Sequence, residues 1–494
     1  MSAQFEAVIG LEIHCQLATD SKIFCSCRAR LPEGASVADQ AANENTCPVC
    51  TGHPGTLPVL NEKVVEYAVR AGLAIGCTIN RENVFARKNY FYPDLPKGYQ
   101  ISQFDRPICE NGTVEIEVEA GGKATVKTIR VQRIHIEEDA GKNVHMGGYS
   151  LVNLNRAGVP LVEIVSAPDL QSPEEAGAYM RAVYSIVTYL GICDGNLQEG
   201  NFRCDANVSV MPQGSKTLGT RAEIKNVNSF RFVEKAIEYE IARQIELVRA
   251  GGTVVQETRS YDSDKNITFS LRSKEEAHDY RYFPEPDLLP VRVSEEFVQK
   301  TRASLPELPQ LKRARYVAEL GLSPYDAGVL TASKAMGDFF EACITECTKS
   351  GQAAVAVAKP MANLITGAVA RRLNDEGIEI TRCRLTPRHL ADLVRLNQAG
   401  ELSSTGTKQV LVAVWKTGEA VNTVVERDGL KQVSDLSALE PIIDQVLADS
   451  PAQVAEFRAG KEKVLGFLVG QVMKRSGGKA NPALLQELIK KKLS

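Results

Sequence analysis

The sequence predicts an α+β fold: a mixed α/β N-terminal region followed by helical ones. Three observations predict it. From residue 1 to about 295, short runs of alternating apolar and polar residues lie between longer segments of helical periodicity. After Tyr282–Val291 the pattern turns helical and Ala/Leu-rich, punctuated by Pro306, Pro309 and Pro324. A Ser/Thr/Gly stretch, Ser403 to Thr407, then reads as a joint. Boundaries near 295 and 406 divide the chain into 1–295, 296–405 and 406–494.

Taken in order, Thr113 to Glu119 alternates Val114, Ile116 and Val118 with polar residues, and Ala120–Gly121–Gly122 leads into a second run ending at Ile134. That is a hairpin signature. Ser172–Pro173–Glu174–Glu175 supplies an N-cap, a proline at the first helical position and a capping-box glutamate. The helix it opens carries Ala176, Met180, Val183 and Val187 at helical spacing and ends at Gly191. Asp205 to Met211 alternates again, and a long helix runs from Phe230 to Ala250 before Gly251–Gly252. Ser450–Pro451 and Asn481–Pro482 open two further helices.

Composition bounds the class. At 494 residues and roughly 150 residues per domain, about three domains are expected. The chain is 44% apolar and 24% charged with a net charge of -3, which excludes disordered, collagen-like and mucin-like chains. Near-neutrality also excludes a generic polyanion binder, so any nucleic-acid contact needs a local basic patch. No apolar run reaches the roughly 18 residues that span a bilayer, and the start MSAQFEAVIGLEIH lacks an export signal, so a cytoplasmic protein is expected.

Chemistry enters at four places. Cys25–Ser26–Cys27 and Cys47–Pro48–Val49–Cys50 form two close pairs that can set four thiolates around zinc; four thiolates leave no open position, so the site would be structural. Acids stand in short apolar or turn-adjacent contexts. Glu12 and His14 share one face of an apparent strand, Glu137–Glu138–Asp139 precede a glycine, and Glu163 sits in an apolar run. Asp205 and Glu223 add to these. Acids from separate strands either share a cation, Mg²⁺ being suited to oxygen ligands, or pair with Arg133, Lys142, Arg203 and Lys225. Lys88 lies in a basic, aromatic and proline-rich loop, Arg87 to Gln100, that would clamp phosphate or be a rigid turn. At the C-terminus Lys474, Arg475 and Lys479 precede the Asn481 helix, either as a seat for RNA phosphate or as a solvated basic end. There is no GxxxxGK[ST] loop, no GxGxxG fingerprint and no GxSxG elbow, so ATP would bind without a P-loop and amide hydrolysis would belong to another chain.

The segments GLEIHCQL, RKNYFYPDLPKGYQISQ, RIHIEEDAGK, NRAGVPLVEIVSAPD, EGNFRCDANVSV, AEIKNVNSF, DYRYFPEPDL and FLVGQVMKRSGGKANP span essentially the whole chain. In them the sequence resembles the B subunits of the aspartyl/glutamyl-tRNA(Asn/Gln) amidotransferases. The resemblance implies an N-terminal cradle domain, a helical domain and a small all-α YqeY-like tail domain. It implies a ligase that converts Glu-tRNA(Gln) or Asp-tRNA(Asn) to the amide with ATP, Mg²⁺ and glutamine. An amidase-type A subunit and a small C subunit are the implied partners. It also implies roles: Glu12, His14, Glu138, Glu163 and Asp205 at the metal and activation site, Lys88 as a catalytic residue near phosphate or in the ammonia path, and Glu137, a neighbour of Glu138, beside the nucleotide with Lys88. Zinc falls to Cys25, Cys27, Cys47 and Cys50, and tRNA contact to Lys474, Arg475 and Lys479. Ala167, Asn153 and Gln198 depart from the family pattern, each by removing an acid. The rival expectations are a non-catalytic tRNA-binding scaffold and a Mg²⁺-dependent phosphohydrolase.

Overall fold

The computed structural model describes residues 4–30, 40–120, 123–273, 280–432, 436–476, 480 and 482–493. The chain forms two compact units, residues 1–308 and 309–494.

The first unit is built on a nine-stranded sheet. Its order is Ile267–Ser273, Glu257–Asp262, Ala222–Val227, Phe202–Pro212, Phe5–Gln16, Pro160–Ser166, Lys123–Glu138, Cys109–Ala120 and Thr78–Ile79. Neighbours run antiparallel, apart from the parallel pair Ala222–Val227 and Glu257–Asp262. The most N-terminal strand thus lies in the middle. Its alternation explains why: Ile9, Leu11, Ile13 and Cys15 are fully buried, whereas Gly10, Glu12, His14 and Gln16 face the other way. The apolar face packs on the helices Glu62–Ala74, Pro173–Tyr189 and Phe230–Arg249 in one continuous core. The opposite face is left for polar side chains.

Within this unit local signals act as the sequence predicts, with one difference. Ser172 Oγ accepts from Glu175 N at 3.2 Å, but the Glu175 carboxylate takes the Gln171 N–H at 2.7 Å, so the reciprocal bond forms one residue upstream of the expected box. Cys109–Ala120 pairs with Lys123–Glu138 as a hairpin, while its turn glycines, Gly121 and Gly122, lie outside the described residues.

The second unit is helical. One core cluster runs from Tyr316 to Val425, and another from Leu439 to Leu493. The expected joint at 403–407 is a helix start instead: Ser403 Oγ accepts from Gly406 N at 2.9 Å, Thr407 is buried, and the helix Ser404–Thr417 follows. Ser, Thr and Gly signal a loop and an N-cap equally well, so composition does not separate the two here. Ser450 stands at the N-cap of Pro451–Arg458 without a capping bond from its side chain. The Asn481 cap lies outside the described residues. Among the described residues no helix is long and apolar enough to cross a membrane.

Candidate functional site

Strand register assembles the site. His14 stands opposite Glu163 on one side and Arg203 on the other, Glu163 stands opposite His135, and Glu12 opposite Asp205. Directly opposed residues point to the same face, so four strands contribute one polar patch.

Two groups of donors result. In the first, His14, Glu137 and Glu163 offer atoms that all lie within 4.8 Å of one another. His14 Nε2 is 3.4 Å from Glu163 and 3.8 Å from Glu137, and His135 Nε2 is 3.3 and 3.8 Å from the same two carboxylates. Burial depresses the His14 imidazole, but Glu163 outweighs it and raises the pKa to about 8. Burial likewise opposes ionisation of Glu163, yet the two histidines hold its carboxyl well below the usual range. In the second group, Glu12, Asp205 and Glu223 are equally close. Burial and then the neighbouring acids push the Glu12 carboxyl up.

The sequence-derived set is therefore partly brought together and partly not. Glu12, His14, Glu163 and Asp205 share the face. Glu138 does not join them. Alternation along Lys123–Glu138 sends Glu137 to this face and Glu138 to the other side, where it is ion-paired with Lys97 and accepts the Ile101 N–H at 2.9 Å. Glu137, expected beside the nucleotide, is the donor instead. The resemblance gives no role to Glu223 or His135, which the sheet brings in; their signal is the same period of two, in AEIK and RIHIEE.

Lys88 lies over the Tyr280 ring at 4.9 Å and over Tyr90 at 5.9 Å. Burial opposes its charge, but Tyr282 and the Glu137 carboxylate more than compensate, so the ammonium is held above its ordinary value. Tyr280 in turn meets Tyr282 edge-on at 6.0 Å, and Tyr282 stacks on Phe104 at 4.2 Å. Asp139 is buried between Arg203, at 3.1 Å, and Arg156, at 3.3 Å. Arg203, Lys225, Thr258, Asp139 and Tyr90 line a cleft of about 1970 Å³ beside the acids.

Away from the acids, Cys25, Cys27, Cys47 and Cys50 bring their sulfurs within 4.8 Å of one another. Cys50 Sγ accepts from Cys47 N at 3.1 Å and receives the buried Lys22 ammonium at 3.6 Å. A bond from the Cys25 thiol, with these donors, lowers the Cys50 thiol to about 4. Four soft donors at this spacing fit zinc. In the second unit, Lys474 and Arg475 end the helix Val464–Arg475, and Arg475 is held by Asp449 at 2.6 Å. Lys479 lies outside the described residues.

Comparison with known proteins follows this geometry. A family described as the GatB/GatE catalytic domain matches residues 7–299, and one described as the GatB domain matches residues 338–493. The B subunit of the aspartyl/glutamyl-tRNA(Asn/Gln) amidotransferase from Trichlorobacter lovleyi is 56% identical, over 99% of this chain and 100% of the relative. Its counterpart in Geobacter sulfurreducens is 57% identical over 99% of both chains. That of Myxococcus xanthus is 52% identical over 99% of both.

Proposed function

The chain belongs to the GatB/GatE family of aspartyl/glutamyl-tRNA(Asn/Gln) amidotransferase B subunits, and from that membership we propose that the acidic sheet face activates the side-chain carboxylate of a misacylated tRNA. The substrates are Glu-tRNA(Gln) or Asp-tRNA(Asn) and ATP. An amidase-type A subunit, with a small C subunit bracing the pair, provides ammonia from glutamine. A side-chain carboxylate oxygen attacks the γ-phosphorus and ADP leaves. Ammonia then attacks the acyl carbon, inorganic phosphate departs with the bonding pair, and the nitrogen loses a proton to give the amide.

The donor set fits a divalent ion: His14, Glu137 and Glu163 offer one imidazole and two carboxylates at chelating separation. When bound, Mg²⁺ offsets the repulsion between two anionic reactants. The chain's own groups do the rest. His135 orients Glu137 and Glu163 alongside His14. Lys88 presents a fixed positive charge against the Tyr280 and Tyr90 rings, which would help exclude water from the reactive acyl group. Zinc at Cys25, Cys27, Cys47 and Cys50 is structural in this reading, Lys474, Arg475 and Lys479 contact tRNA, and the protein works in the cytoplasm.

The observation that carries the reading is the convergence of carboxylates from five adjacent strands beside a cleft large enough for a nucleotide and an aminoacyl end. A tRNA-binding scaffold has no need of buried acids, which are costly to keep ionised. In the three-subunit enzyme supplied with Glu-tRNA(Gln), glutamine and ATP, Glu163→Gln is expected to slow amide formation and coupled ATP cleavage by about 10²-fold or more. Binding of misacylated tRNA, read by filter retention, should change little. Equal ATP cleavage by variant and wild type would remove the assignment.

A further inference from the structure

The fold buries Lys22 completely. Its ammonium has two acceptors, the Asn45 carbonyl oxygen at 3.0 Å and Cys50 Sγ at 3.6 Å, and among the described residues no carboxylate pairs with it. The Glu138 carboxylate nearby is engaged by Lys97. The backbone of the same lysine reaches the other cysteine pair, where its N–H donates to the Cys27 carbonyl at 2.8 Å. One residue thus touches both arms of the four-thiol loop. A buried ammonium is costly unless negative charge faces it, and a neutral thiol supplies none. Four thiolates on a divalent ion supply it, because their charges exceed that of the metal by two.

We propose that Lys22 is a positioning residue of the four-thiol metal centre: its ammonium offsets the excess charge of the thiolates, and its bond to Asn45 passes the order of that centre to the wall of the cleft. The inference rests on the zinc reading above and deepens it. The path is short. Asn45 Oδ1 accepts from Arg28 N at 3.2 Å, and Asn45 Nδ2 donates to the Arg28 carbonyl at 2.8 Å, so this side chain brackets the residue just beyond Cys27. On its other side the Asn45 N–H donates to Asn155 Oδ1 at 2.9 Å. Arg28, Asn45 and Asn155 all line the large cleft, together with Arg156 and Arg203. A metal that fixes Cys27 and Cys47 therefore fixes chain positions one and two residues away that face substrate. Partners of this kind around metal ligands set both the affinity of the metal and the orientation of what surrounds it.

The test separates charge from packing. Zinc affinity of the three-subunit enzyme is read in excess Mg²⁺ by competition with a chromophoric chelator, and Co²⁺ spectra report thiolate ligation. Lys22→Met should bind zinc about 10- to 100-fold more weakly than wild type, and Lys22→Arg, which keeps the charge, should stay close to it. A second background carries Cys25→Ser, Cys27→Ser, Cys47→Ser and Cys50→Ser, so that no thiolate can face the ammonium. There Lys22→Met should raise the melting transition of the full chain, whereas in the zinc-loaded protein it should lower it. A lysine that only fills space and ties Asn45 would lower both. Stripping zinc from wild type and restoring Mg²⁺ should raise KM for Glu-tRNA(Gln) more than it lowers kcat, as befits a cleft wall. Equal zinc affinity of wild type and Lys22→Met would overturn the charge role, as would a lowered transition or loss of the fold in both backgrounds. An unchanged KM after stripping would overturn the link to the cleft. Absence of a thiolate–Co²⁺ spectrum in wild type would instead overturn the zinc reading on which the inference rests.

Discussion

At the scale of single residues, neighbouring charges decide what burial alone would reverse. His14 is 13% exposed, and desolvation pulls its pKa down, yet Glu163 raises it to about 8. In metal-free protein the imidazolium therefore stabilises the fold fully below pH 6.5, the ordinary value, and that contribution fades as pH rises through 8. A shift of about one and a half pH units corresponds to about 2 kcal/mol. Melting in chelator should show stability falling between pH 6.5 and 8.5, and His14→Gln should flatten that slope; an unchanged slope would show that His14 is not its source. A period of two makes Glu12 and His14 legible together in the sequence. The same period requires Glu137–Glu138–Asp139 to alternate, but only the partner strand reveals which of them faces the histidines.

At the scale of elements, the legible features are those with local chemistry. The Ser172 helix start, the Gly191 stop and the Phe230–Arg249 helix carry their signals within a few residues. The middle place of Phe5–Gln16 does not, because its partner Phe202–Pro212 lies about two hundred positions away and no local pattern encodes that pairing. The cysteine loop lies between these cases: spacing suggests the four thiols, and the fold closes them around a common centre beside Lys22. Its position matters beyond itself. Gly158 packs beside it at φ +81°, where a side chain would strain the backbone although an added Cβ would meet the Cys50 Cβ at an ordinary 3.4 Å. Purified protein should contain one zinc by elemental analysis. Stripping it with a chelator should lower the melting transition of residues 1–308 by several degrees, since the bound metal stabilises only the folded loop. Absence of zinc together with an unmoved transition would make the four thiols a metal-free cluster.

For the whole molecule, near-balance of charge is the governing fact. With 58 basic and 61 acidic residues, the chain has no global attraction for a polyanion, so tRNA affinity must come from places where cations outnumber acids. The end of the Val464–Arg475 helix carries Lys474 and Arg475, of which Asp449 engages Arg475, so Lys474 is the residue to test. Lys474→Glu should weaken tRNA binding about tenfold and reduce its salt dependence by about one ion released. Equal affinity and slope would place the contact elsewhere. Composition conveys this balance at once. It conveys less about the helical half, where Ser403–Thr407 reads as a connector but caps a helix within a shared core.

The peptide bond between Glu137 and Glu138 joins two compartments with different chemistry, one facing histidines and the other facing Lys97. Adding or deleting a single position between Arg133, where the strand already carries a bulge, and Glu137 would trade the occupants of both unless a second bulge absorbed it. A change of two positions there would leave both occupants in place.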